Sequence, residues 1–294
     1  MYLGITHETR YHYQPAVGTA MHIAHMKPRD TQHQRLLSHQ LNILPETEHK
    51  QDVLDVFGNT SQYFSLQTVH PELVVTARSV VETDNGPTPA LEESQAWESV
   101  RAHFRYRAGV AFDPANEFVF PSPYVPWAPE FAAFAQPEFQ ADKPLFLAMQ
   151  GLMQKIHREF KYDPKSTEVS TPALEALRQR KGVCQDFAHI MIACCRNLGL
   201  PARYVSGYLL TEPPPGQPRL IGNDATHAWV SVYDPQQGLW LDFDPTNNRL
   251  LGEDYVTVAW GRDFGDVSPM RGVIHGGANH TLEVAVTVEP LKIE

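Results

Sequence analysis

One stretch constrains the fold of this chain more than any other. Between Gly182 and Pro201, the residues Phe187, Ile190, Met191, Cys194 and Leu198 recur at helical spacing. Gly199 followed by Pro201 closes the run as a helix end should. Gly182 marks the turn before it, so Cys184 falls at or near the first helical turn. Downstream the period shortens to that of strands. Residues 224–234 alternate, 235–238 read as a turn, and 239–246 return as a second strand. A helix feeding an antiparallel pair, behind a long β-rich opening, predicts an α+β fold.

That opening runs from residue 2 to about 82. Leu3, Ile5, Thr9, Tyr11 and Tyr13 share one parity, and residues 40–44 and 72–81 also read as strands. Two apolar runs flank Gly58-Asn59, a hairpin signal. An antiparallel β-domain over 1–83 is expected. His22 and His25 are three apart, which on a strand sends them to opposite faces, so they do not read as a metal pair. Residues 84–96 are polar with Gly86, Pro87 and Pro89 and read as a linker, followed by a short helix over 97–104. Residues 113–144 are dense in proline and aromatics. Proline removes ladder donors, so this segment is neither central strand nor mid-helix, and its aromatics imply packing across a surface. Residues 145–160 show helical spacing again. The expected organisation is a β-domain at 1–83, a linker and packing segment at 84–144, and a core at 145–294.

Composition narrows the function. The 34 acidic residues against 24 basic ones give a net charge of −10, which offers no field to hold a phosphate backbone. Hydrophobic residues at 42% and charged residues at 20% fit a globular protein and not a disordered one. Three cysteines, two of them adjacent, cannot form a disulfide framework and point to a reduced compartment. No basic-then-apolar leader opens the chain, and no apolar run approaches the roughly 18–20 residues of a membrane span. A soluble cytoplasmic protein is expected, with no nucleic-acid or membrane partner.

Cys184 has a physical use at a helix start. Unpaired N–H groups and the positive end of the helix dipole stabilise a thiolate, and the same N–H groups can hold an oxyanion. Cys194 and Cys195 lie deep in the helix and read as packing residues. On the strand pair, His227 and Asp244 share a face if a two- or four-residue loop joins the strands. With the four-residue loop, which pairs Asp234 with Leu239, Asp244 sits one diagonal step from His227. Asp242 has the same parity but lies nearer the turn, so it is the weaker candidate. A helix-start cysteine, a strand histidine and an aspartate beside it form the nucleophile–base–orienter set of thiol acyl transfer.

These residues resemble a known family. Gly182-Val183-Cys184-Gln185-Asp186-Phe187-Ala188-His189, then Thr226-His227-Ala228-Trp229-Val230, then Phe243-Asp244-Pro245-Thr246-Asn247 are similar to motifs of the bacterial transglutaminase-like superfamily, in the family's order. His7 to Tyr13, Lys27 to Asp30, Asp55 to Asn59 and Gly261 to Pro269 extend the resemblance over most of the chain. It implies a papain-like α+β core with the triad Cys184, His227 and Asp244, behind the family's N-terminal β-region. Gln185 and Asp186 then read as helix-start support. Tyr162 is a candidate for a hydroxyl near the oxyanion, with packing the stronger reading. His189 points away from Cys184 around the helix and reads as structural. His275 and His280 follow the family-like tail toward the cleft rim. Animal crosslinking members use calcium, but no clustered acidic loop with oxygen-ligand spacing is evident, so neither metal nor cofactor is expected.

Three functions follow. The first is hydrolysis of a peptide or amide bond in a peptide or protein substrate, through an acyl-enzyme. The second is transfer of the same acyl group to an amine. The third is a non-catalytic peptide-binding or assembly module. The loops at 211–218 and 113–144 are expected to decide between water and amine by controlling access.

Overall fold

Alternation near the start of the chain sets the first strand. β1 (Tyr2–Ala24) buries Leu3, Ile5, His7, Thr9 and Tyr13 on alternate positions, as a strand with one face on a core does. The computed structural model describes residues 1–47, 49–87, 90–211, 226–277 and 279–292. β2 (Gln34–Leu44), β3 (His49–Leu54), β4 (Thr60–Leu66) and β5 (His70–Thr83) complete the β-rich opening, in the order β2-β5-β1-β4-β3. The hairpin expected around Gly58 joins β3 to β4, and Gly58 holds a left-handed φ of 74° in its turn.

The middle of the chain is helical. α1 (Trp97–His103), α2 (Pro129–Ala135) and α3 (Leu145–Glu159) are followed by the two-residue strand β6 (Lys161–Tyr162), α4 (Ala173–Gln179) and β7 (Lys181–Gly182). α5 (Cys184–Asn197) then leads into β8 (Ala202–Leu209), β9 (Thr226–Asp234), β10 (Leu239–Asp244), β11 (Arg249–Leu250) and β12 (Tyr255–Gly261). These last five form an antiparallel sheet in the order β11-β10-β9-β8-β12, with α5 packed against β8 and β9. α6 (Phe264–Val267), β13 (Met270–Gly276) and β14 (Asn279–Pro290) end the chain.

Two expected boundaries need correction. The region 145–294 is not one unit, because β13 and β14 pair with β1 and belong to the first sheet. The cause is the length of β1. Its first half pairs with β5 on one side and its second half with β4, which leaves a ladder of N–H and C=O groups that β14 and β13 satisfy. Val286 and Val288 of β14 enter the same apolar cluster as Leu3 and Ile5 of β1 and the helices of the core. Nor is 84–96 only a linker. Leu91 is buried in that cluster, and the Gln95 N–H donates to Asp234 Oδ2 at 3.0 Å.

The proline-rich segment does pack across a surface, and one side chain organises it. Arg196 of α5 is fully buried and donates to the carbonyls of Phe118, Phe120, Ala202 and Arg262 and to Ser122 Oγ, at 2.6–3.1 Å. Burial lowers its pKa to about 10, which still leaves it charged at neutral pH. The first sheet is fastened to the core sheet in a similar manner. Asn59, with no exposed surface, donates from Nδ2 to Trp260 O at 2.8 Å and accepts the Trp260 N–H at 2.9 Å.

Candidate active site

Three local features set the cysteine. Asp186, in the first turn of α5, accepts the Val183 N–H at 2.8 Å and the Thr167 hydroxyl at 2.7 Å. That carboxylate closes the helix start, as its motif position implies. Gly182 precedes it because a Cβ there would collide with the Asp186 carboxylate. Cys184 follows, partly exposed, with the N–H groups of the first helical turn around it. Cys194 and Cys195 are buried, and burial pushes the Cys195 thiol up to about 12 and that of Cys194 well above its ordinary value. Both stay protonated packing groups, as their helix depth predicts.

The histidine and aspartate come from the strand register. Leu239 pairs with Asp234 and Phe243 with Val230, so Asp244 falls opposite Trp229, two residues from His227. His227 Nε2 lies 2.7 Å from Asp244 Oδ2. Cys184 acts on the same imidazole, its side chain standing with Asp244 among the groups that favour the protonated ring. Burial alone would lower the His227 pKa, but the bonds to Asp244 and Cys184 outweigh it and raise the value from 6.5 to about 10. Asp244 has no exposed surface, and burial opposes its charge too. The donors around it prevail and hold its pKa below the ordinary 3.8.

Those donors include two side chains that the sequence reading missed. Tyr255 Oη and Asn247 Nδ2 each donate to Asp244 Oδ2 at 2.7 Å, while the Thr246 and Asn247 N–H groups donate to Oδ1 at 2.8 and 3.1 Å. Asn247 sits in the motif after Asp244, and an Asp followed by Asn three residues on is itself a turn signal. Tyr255 carries no local signal, since it returns from the far side of the 245–254 connection.

The remaining candidates have definite places. Asp242 pairs with Ser231, one cross-strand row away, where Arg203 opposes the burial that raises its pKa. Arg203 itself stacks on Trp240 at 4.1 Å and Trp260 at 3.8 Å. His189 is buried, its pKa lowered to about 3 by desolvation, and it accepts the Phe264 N–H at 3.2 Å while stacked on Tyr124. That is a structural role. Gln185 donates to Val169 O at 3.1 Å. Tyr162 pairs with Gly182, two residues before the cysteine, and its ring meets that of Phe187 edge-on at 6.4 Å, with burial raising its pKa. It is 51% exposed. His275 and His280 are on β13 and β14, opposite Thr19 and Tyr13 of the first sheet. Of the loop 211–218, residues 212–218 lie outside the described residues, as do 224 and 225 before β9. No helix among the described residues is long and apolar enough to cross a membrane.

A cysteine at a helix start, facing a strand histidine backed by a buried aspartate, is the arrangement of a transglutaminase-like core. Residues 132–245 match the transglutaminase-like superfamily, and residues 3–82 match the bacterial transglutaminase-like N-terminal region. An uncharacterized protein of Mycobacterium tuberculosis is 39% identical over 296 residues, covering 98% of this chain and 92% of that one. A protein-glutamine gamma-glutamyltransferase of Pseudomonas aeruginosa is 34% identical over 105 residues, 33% of this chain and 16% of that one. A solved structure from Cytophaga hutchinsonii, named provisionally as a cysteine protease, shares the fold with a TM-score of 0.73 at 23% identity, covering 100% of this chain and 92% of that one. The chain belongs to the transglutaminase-like superfamily and carries its bacterial N-terminal region.

Proposed function

We propose that the protein is a thiol-dependent acyl-transfer enzyme that hydrolyses a peptide or amide bond through an acyl-enzyme on Cys184. The observation that carries this reading is the His227 imidazole held at 2.7 Å by the buried Asp244 carboxylate, with the helix-start Cys184 acting on the same ring. His227 takes the thiol proton, giving a thiolate beside an imidazolium. The sulfur attacks the substrate carbonyl, and the N–H groups at the start of α5 receive the negative oxygen. The carbon–nitrogen bond then breaks, with His227 giving its proton to the departing amine and a thioester left on Cys184. Water attacks the thioester and His227 takes a proton from it. Collapse releases the acid and restores the thiol. Asp244 holds the imidazole in the tautomer and orientation that both halves require.

A second reading, transfer of the acyl group to an amine, is favoured by one observation, the relative in Pseudomonas aeruginosa that is named as a glutamyltransferase. Both routes share the thioester and differ only in what discharges it.

The test begins with Cys184→Ala, which should abolish turnover of any peptide or amide substrate; undiminished turnover removes both readings. Mass spectrometry of the products with a primary amine present then separates them, because transfer adds the amine's mass and hydrolysis does not. Labelling with iodoacetamide addresses a binding module. A nucleophile alkylates at Cys184 far faster than at Cys194 or Cys195, whereas equal sluggishness at all three supports binding alone.

A further inference from the structure

Asp244 Oδ2 is an unusually crowded oxygen. It accepts from His227 Nε2, Tyr255 Oη and Asn247 Nδ2, each at 2.7 Å. Asn247 is the nearest neighbour in sequence and closes the turn after Asp244. Tyr255 comes from another strand and is held from several sides. Its ring meets Trp229 edge-on at 5.4 Å, lies 6.1 Å from the His227 ring, and carries the Arg249 guanidinium 4.9 Å above it. It is 4% exposed. Burial and the adjoining Asp244 charge keep the phenol protonated, so in this contact Tyr255 can only donate.

An oxygen that holds three protons gives less to each. Charge drawn from Asp244 by the phenol is charge no longer offered to the imidazolium. Taking the phenol away should bind the His227 proton more firmly and make it a poorer acid toward a leaving amine. We propose that Tyr255 is a positioning residue of this site, one that limits the pull of Asp244 on His227 and so keeps the imidazole able both to take and to give its proton. The inference rests on the acyl-enzyme reading above and adds to it a side chain that acts through Asp244.

The test needs no substrate. The rate of Cys184 alkylation by iodoacetamide, followed against pH on the full chain, shows a plateau wherever thiolate and imidazolium coexist. An upper step follows where the imidazolium loses its proton. In Tyr255→Phe the upper step should move to higher pH by about half a unit or more, a roughly threefold change in proton affinity. In an Asp244→Asn background the same substitution should leave the step where it was, since the carboxylate charge it acts on is gone. If Tyr255→Phe does not fold, 3-fluorotyrosine incorporated at this position serves instead. Its more acidic phenol donates more strongly and should lower the step. A plateau in the parent protein with an upper step that neither replacement moves overturns the inference alone. Absence of any plateau in the parent protein overturns the acyl-enzyme reading beneath it.

Discussion

Gly182 and Asp186 compete for one volume: the space a Cβ at residue 182 would fill is occupied by the Asp186 carboxylate. That carboxylate ties the Val183 N–H to the Thr167 hydroxyl and thereby fixes where α5 begins. Gly182→Ala therefore has to displace Asp186. Asp186→Ala removes the cap and leaves the Val183 N–H without it, a loss of about 1–2 kcal/mol at a helix start. Both variants should still fold, with lower urea midpoints, and both should alkylate more slowly at Cys184 because the first-turn N–H groups are no longer fixed around the sulfur. Alkylation at the parental rate in either variant would show that the helix start does not tune the thiol.

How much of this was legible in the sequence depends on the range of the interaction. The position of Cys184 followed from Gly182 before the helix and Pro201 after it. The His227–Asp244 contact followed from loop length, because the turn between β9 and β10 fixes which residues of the two strands share a face. Tyr255 and the docking of β13 and β14 escaped for one shared reason. Nothing local in a strand states which distant edge it will join, and alternation says only that it has two faces. The place of β14 on β1 is decided by the unpaired ladder that β1 presents some 270 residues earlier.

The pH dependence of stability carries the signature of the same pair. His227 has a folded-state pKa raised from 6.5 to about 10, so its contribution is fully present below about pH 6.5 and is lost as the pH rises through about 10. Asp244 is shifted the opposite way. Its contribution is present above its unfolded value of 3.8 and is lost as the pH falls through its lowered folded value. Both contributions are at full strength only between about pH 4 and 6.5. The stability gap between the parent and His227→Ala should therefore be widest in that window and narrow steadily from about pH 6.5 toward about pH 10. Urea unfolding of both proteins at about pH 6, 8 and 10 measures it. A gap that stays constant or widens over that range contradicts the raised value.

Arg196 offers a stronger perturbation away from the site. Its guanidinium donates to four carbonyls and a hydroxyl at 2.6–3.1 Å, and two of those carbonyls, on Phe118 and Phe120, hold the proline-rich segment to α5. Arg196→Met keeps a side chain that fills much of the space but strands the buried acceptors. A loss of about 3–5 kcal/mol follows for partners left unpaired in the interior. The 113–128 stretch should become the first site of limited proteolysis. A variant as stable as the parent, with that stretch still protected, would mean that the aromatic contacts alone fasten it.

The C-terminal strand provides the sharpest check on the corrected organisation. Val288 has no exposed surface and pairs with Ile5, whose own side chain lies in the same cluster. If residues 270–290 were a tail of the core, a charge at Val288 would be cheap. Because β14 lies on β1, Val288→Asp buries a carboxylate between Leu3, Ile5 and the helices beneath them, and a penalty of at least about 3 kcal/mol is expected. Thr281→Asp, on an exposed position of the same strand, is the control and should fall within about 0.5 kcal/mol of the parent. Hydrogen exchange then locates the damage. In Val288→Asp, the amides of Leu3, Ile5 and His7 should lose protection before those of β9 and β10, because the lesion opens the first sheet from its β14 edge. Loss of protection beginning in β9 would place β14 with the core after all.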